Sequence, residues 1–257
     1  MSPAPISSRL DLTGQVAFVT GAGGGIGSAS VWALAREGAA VAVTSLVGEE
    51  AERLAADVRS SGGSAIAIEL DVTDQAACRA AVERTVGELG RLDVAVSAAG
   101  IAAHAPLGEI TDAEWEEVLG VNLKGTLHVL QAVYPVMAAA GYGKIVCIGS
   151  IAARQGGVVT GPHYVASKAG VHGMVKWLAR AGAPRGVYVN AVAPGPVMTP
   201  MWRSGPDPSG AETAKLVPLG RIGEPEDIAE AVLFLASPMS NWITGLVLDV
   251  TGGLLMV

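Results

Sequence analysis

The stretch VAFVTGAGGGIGSASVWALAR, residues 16–36, decides the fold. An apolar, β-branched run ends at Thr20, five glycines crowd residues 21–27, and a helical pattern follows. A strand that turns into a helix without Cβ atoms lets backbone N–H groups approach a diphosphate, with the helix N-terminus facing the negative charge. Glycine patterns alone recur by chance, and this one is Gly-x3-Gly-x-Gly over Gly21, Gly25 and Gly27, not the common GxGxxG. Its position gives it weight, because ligands of α/β sheets bind at the strand ends.

Outward from this turn, the chain alternates short apolar runs with longer helical patterns. Residues 16–20, 41–45, 65–70, 94–97, 145–150, 187–192 and 246–250 read as strands. They are nearly continuously apolar, as strands covered on both faces should be. Helical patterns occupy 26–37, 49–60, 75–89, 112–139, 163–182 and 226–236. Such alternation implies a parallel sheet with right-handed crossovers and helices on both faces. No linker divides the chain, so residues 11–257 read as one domain after a loose, Pro/Ser-rich segment 1–10. The Gly/Pro-rich stretch 194–220 is too long for a simple connection and reads as a substrate loop.

Composition narrows the function classes. Half of the 257 residues are hydrophobic and only 16 % are charged, which fits a well-buried core. A net charge of −7 argues against nucleic acid as a partner. Two cysteines, Cys78 and Cys147, form neither a disulfide framework nor a metal-ligand spacing, and Cys147 reads as a buried thiol. No metal is expected. With no secretory pattern and no membrane-spanning run, the expected location is the cytoplasm.

A second stretch, YVASK at 164–168, carries the chemistry. On a helix, Tyr164 and Lys168 share one face a turn apart. A cation there is expected to pull the phenol below its ordinary pKa of about 10.

Together TGAGGGIG (20–27), LDV (70–72), SAAG (97–100), VN (121–122), IGS (148–150), YVASK (164–168), NAVAPGPVMT (190–199) and PLGRIGEPEDIA (218–229) resemble the short-chain dehydrogenase/reductase family from about residue 11 to the end. The resemblance implies a Rossmann-like, doubly wound parallel sheet of about seven strands. It implies an NAD- or NADP-dependent interconversion of a ketone and a secondary alcohol. Asn122, Ser150, Tyr164 and Lys168 would be catalytic. Tyr164 would be the acid/base, Ser150 would hold the substrate oxygen, and Lys168 would tune the phenol and bind ribose. Asn122 would carry a water that links Lys168 to solvent. Gly21, Gly25, Ile26 and Gly27 would cradle the diphosphate, with Ser45 near the ribose and Asp71 and Val72 near the adenine. Ala99, Gly100, Pro194, Gly195, Val197, Thr199, Tyr164 and Lys168 would complete the cofactor site. His104, His163, Met201 and Trp202 are candidate substrate contacts. The family is usually tetrameric, so a homo-oligomer, tetramer or dimer, is expected.

Several positions depart from the family's pattern. Ser97 and Ala98 stand where Asn usually begins the motif, and Thr251 where Asp often precedes the paired glycines. Ser150 and Tyr164 are one residue further apart than is usual, within QGGVVTGPH. The end of the second strand offers Ser45 and Leu46, neither the Asp that selects NAD nor the Arg that selects NADP. No Lys or Arg lies between Gly38 and Arg53, which favours NAD. A 3-oxoacyl-thioester reductase is the alternative enzyme, although MAAAGYGK (137–144) offers only Lys144 for docking an acidic carrier, with Arg185 elsewhere. A catalytically silent nucleotide-binding sensor is the alternative of another class.

Overall fold

The apolar runs are strands because one sheet is covered on both faces. The computed structural model describes residues 10–102, 104–157 and 160–256. Its strands are β1 (Val16–Thr20), β2 (Ala40–Ser45), β3 (Ala65–Glu69), β4 (Val94–Ser97), β5 (Gly143–Ile148), β6 (Val187–Pro194) and β7 (Val247–Val250). They form a parallel sheet in the order β3-β2-β1-β4-β5-β6-β7. The expected doubly wound, seven-stranded architecture is therefore present. Every residue of β1 and β5 is buried, which is why neither segment alternates polar and apolar residues.

The helices are α1 (Gly25–Arg36), α2 (Gly48–Ser60), α3 (Gln75–Leu89), α4 (Asp112–Leu119), α5 (Thr126–Ala140), α6 (Ala152–Gln155), α7 (Pro162–Gly182), α8 (Pro200–Arg203), α9 (Ala211–Ala214) and α10 (Pro225–Ala236). Successive strand residues point to opposite faces. Val19 and Val41 pack with Val31, Leu34, Ile228 and Val232 on the side of α1 and α10. Phe18 packs with Val82, Val133 and Val175 on the side of α3, α5 and α7. The sheet order reverses between β1 and β4, so a crevice opens at their carboxyl ends.

Expected element bounds agree with the structure within two residues, with one exception. The helix expected over 112–139 is broken by a π-helical turn, Gly120–Gly125, between α4 and α5. The wider turn frees backbone groups, and the Thr126 hydroxyl donates to the Asn122 carbonyl at 2.7 Å. Gly125 lets this turn press on Val72, since a Cβ there would lie 2.7 Å from Val72 Cγ2. The 194–220 loop contains the short helices α8 and α9. Residues 1–9 of the expected loose segment, and residues 158–159 of the lengthened loop, lie outside the described residues. Among the described residues no helix is long and apolar enough to cross a membrane.

Candidate active site

The glycine turn is fixed by its own chain before any ligand is considered. Gly21 has φ +66°, and a Cβ there would lie 2.6 Å from the Ala99 backbone. A Cβ on Gly27 would collide with the Gly21 carbonyl. The turn is therefore pressed against the end of β4, which brings Gly21 beside Ala99 and Gly100. α1 starts at Gly25 with no side-chain cap and no acidic residue in its first turn. Its N–H groups, including that of Ile26, suit an anion. Across the crevice stands Thr199, whose Cγ2 would lie 3.1 Å from a Cβ on Gly25. An uncapped helix start facing a backbone-lined crevice fits a dinucleotide diphosphate.

The remaining cofactor candidates line the same sheet edge. Ser45 closes β2, and its hydroxyl donates to Glu50 Oε2 at 3.0 Å. Asp71 is exposed just beyond β3, with Oδ1 accepting from the Thr73 N–H (2.8 Å) and hydroxyl (2.7 Å). Val72 is buried beside it. Pro194 ends β6, and the Gly195 N–H donates to the Val250 carbonyl at 2.9 Å. Val197 is buried and bridges to Gly223. The Thr199 oxygen accepts the Trp202 N–H at 3.1 Å, so its own proton can be donated.

Tyr164, Lys168 and His172 recur every four residues along α7 and share one face. Ser150 lies two residues past β5, and its hydroxyl exerts a lowering pull on the Tyr164 phenol's pKa. Lys168 is buried; its Nζ donates to the Ile148 carbonyl at 3.0 Å and stands 5.8 Å from the Tyr164 ring centre. Burial lowers the Lys168 pKa to about 8. The Tyr164 pKa is raised, chiefly by burial, against a lowering pull from Ser150. The expected depression by Lys168 is thus corrected. Removing the phenolate from water outweighs the other influences, and the downward pull comes from serine.

Asn122 sits in the π turn and is fully buried. Its Oδ1 accepts the Ile101 N–H (2.8 Å), and its Nδ2 donates to the Ile101 carbonyl (3.0 Å) and Ser167 Oγ (3.1 Å). The side chain thereby pins the chain leaving β4. Gly100 lies between Asn122 and Lys168; a Cβ there would lie 3.2 Å from Asn122 Oδ1 and 3.4 Å from Lys168 Nζ. Asn122 and Lys168 thus flank Gly100, and Tyr164, which feels the Ser150 hydroxyl, lies one helical turn from Lys168.

Some contributors were not singled out from the sequence. His172, read only as a helix residue, makes a long contact of 3.5 Å in which the Ser150 N–H points to its Nε2. Burial first, then Arg154, Lys168 and Lys176, lowers its pKa to about 4, so it is a neutral acceptor at pH 7. Its helical spacing from Lys168 was the available signal. Thr20 braces the chain leaving β4, its Oγ1 accepting from the Ala98 and Ala99 N–H groups at 3.2 and 3.3 Å. Thr251 ties down the C-terminal tail by accepting from the Leu255 N–H at 3.3 Å. Leu254 and Leu255 pack back on the chain's own core.

The substrate candidates separate. His104 is exposed and faces the loop, since a Cβ on Gly205 would lie 3.8 Å from its ring. Met201 and Trp202 lie on α8, just past Thr199. His163 is fully buried with Nε2 3.1 Å from Glu114 Oε1, so in this conformation a substrate does not reach it. Cys78 and Cys147 are free, buried thiols pushed up by burial to about 11 and about 12. Among the described residues no group of three or more His, Cys, Asp or Glu side chains is placed to hold a metal ion.

Comparison with known proteins places the chain in a family. A family model described as enoyl-(acyl carrier protein) reductase matches residues 21–255. The 3-oxoacyl-[acyl-carrier-protein] reductase FabG of Thermotoga maritima is 39 % identical over 95 % of this chain and 99 % of its own. The D-threitol dehydrogenase of Mycolicibacterium smegmatis is 42 % identical over 95 % of this chain and 94 % of its own. A dehydrogenase structure from Beutenbergia cavernae, with NADP bound at low occupancy, superposes with a TM-score of 0.89 at 38 % identity, covering 96 % of this chain and 98 % of its own. The chain belongs to the short-chain dehydrogenase/reductase family and is an NAD(P)-dependent oxidoreductase acting on CH–OH groups.

Proposed function

We propose that the protein interconverts a small or medium, uncharged ketone and its secondary alcohol, with Tyr164 as general acid and base and NAD as cofactor. The observation that carries this reading is the buried Lys168 Nζ, 5.8 Å from the Tyr164 ring centre and one turn along α7, with the Ser150 hydroxyl pulling the phenol's pKa down. The bound nicotinamide supplies or accepts the hydride. As charge develops on the carbonyl oxygen, Tyr164 donates its proton and Ser150 holds the oxygen by a hydrogen bond. Lys168 is buried where its ammonium can orient ribose hydroxyls. The Asn122 side chain is committed to Ile101 and Ser167, so the expected water for proton exit falls to its backbone carbonyl, which also accepts from Thr126.

Turnover of a ketone and alcohol panel with both coenzymes tests this. Tyr164→Phe is expected to lower turnover by ~10²–10⁴-fold while NADH binding persists. Normal turnover by that variant would refute the assignment.

A 3-oxoacyl-thioester reductase is the second reading, favoured by the likeness to the Thermotoga protein. Docking of an acidic carrier at Lys144 does not support it. Lys144 is fully buried, with Nζ donating to Ser237 O and Ser240 Oγ, both at 2.7 Å, and lying 4.8 Å from the Tyr188 ring centre. Arg185 is exposed and is the remaining docking cation of the two weighed. The protein is further read as a cytoplasmic homotetramer, or a dimer, in keeping with its two free thiols and with exposed Leu127 on α5 and Trp177 on α7. Light scattering after gel filtration measures the assembly.

A further inference from the structure

We infer that Glu50, on the first turn of α2, is the carboxylate that recognises the adenosine ribose and turns away a 2′-phosphate. The inference rests on the NAD reading above and names the residue responsible. The end of β2 lacks an acidic side chain, so the sequence shows no device for telling the two coenzymes apart. The fold supplies one from further along the chain. Ser45, the last residue of β2, donates its hydroxyl to Glu50 Oε2 at 3.0 Å and accepts the Val47 N–H at 3.3 Å. This draws the carboxylate back over the glycine turn. A Cβ on Gly23 would collide with Glu50 Oε2 and lie 2.6 Å from Ser45 Oγ.

The position matches the path of a dinucleotide. The β1 turn is suited to the diphosphate, and Asp71 past β3 is the candidate adenine contact. β2 lies between β1 and β3, so the connecting ribose passes over the end of β2. A carboxylate at that point accepts hydrogen bonds from the 2′- and 3′-hydroxyls and repels a 2′-phosphate. Glu50 is half-buried, which limits screening by solvent. Its neighbours Leu46 and Val47 are apolar and exposed, and no Lys or Arg occurs from Gly38 to Glu52 to offset the charge.

Titration of the whole protein with NADH and NADPH, read by nicotinamide fluorescence without substrate, tests the inference. The natural protein is expected to bind NADH at least about tenfold more tightly than NADPH. Glu50→Gln is expected to narrow that ratio by about fivefold or more, mainly through tighter NADPH binding. Ser45→Ala, which unhooks the carboxylate, is expected to weaken NADH binding about threefold and gives a second measure should Glu50→Gln not fold. A natural protein that prefers NADPH would overturn the NAD reading and this inference together. A preference for NADH that survives both substitutions unchanged would overturn the role of Glu50 and leave the NAD reading standing.

Discussion

Replacing Lys168 by Met should make the protein more stable relative to the natural chain at pH 7 than at pH 9. The ordinary lysine pKa of 10.5 falls to about 8 here because the amine is buried. That difference corresponds to a cost of about 3 kcal/mol for keeping the ammonium in the folded chain at pH 7. The sign follows from proton counting. Below pH 8 both folded and unfolded chains hold the proton, and the full cost is present. Between about 8 and 10.5 the folded chain has released a proton that the unfolded chain keeps, so stability rises with pH. By pH 9 roughly 2 kcal/mol of the cost remains. Lys168→Met has no such group, so its stability relative to the natural chain should fall by about 1 kcal/mol from pH 7 to pH 9. The lost bond to the Ile148 carbonyl affects the comparison equally at each pH. Lys144, whose pKa also falls to about 8, is present in both proteins and cancels. Urea unfolding at a fixed protein concentration at pH 7, 8 and 9 measures this. A stability difference that does not change with pH would show that burial has not lowered the amine's pKa.

Two further outcomes follow from the site. Gly27→Ala drives a methyl into the Gly21 carbonyl, where only backbone can yield. It should cost about 3 kcal/mol, the upper part of the overpacking range, and lower Tm by roughly 6–12 °C in a thermal melt. Ser150→Ala removes the hydroxyl that pulls the Tyr164 pKa down. The rising limb of the pH–rate profile for alcohol oxidation should therefore move to higher pH, and an unmoved limb would contradict the link between the two hydroxyls.

Much of the fold was legible because buried parallel strands leave a plain signature: short apolar runs between helical periods. The break between α4 and α5 was not, because GVNLKG continues a helical pattern and only tertiary contacts, Gly125 on Val72 and Asn122 on Ile101, decide that the turn widens. The four catalytic candidates were readable as residue types in order, yet their electrostatics were not. A helical spacing puts Lys168 near Tyr164, but whether that phenol rises or falls in pKa depends on burial, which spacing does not encode.

The sequence alone determined the strand–helix alternation, the glycine turn and the order of Asn122, Ser150, Tyr164 and Lys168. Local periodicity and backbone sterics act over a few residues, and these features live on that scale. The tertiary structure decided which residues meet across distance. It buried Lys144 away from any carrier, closed His163 on Glu114, and folded Glu50 back over Gly23 through Ser45. Those pairings depend on how helices seat on the sheet, and seating is set by packing of the whole core rather than by any one stretch of chain.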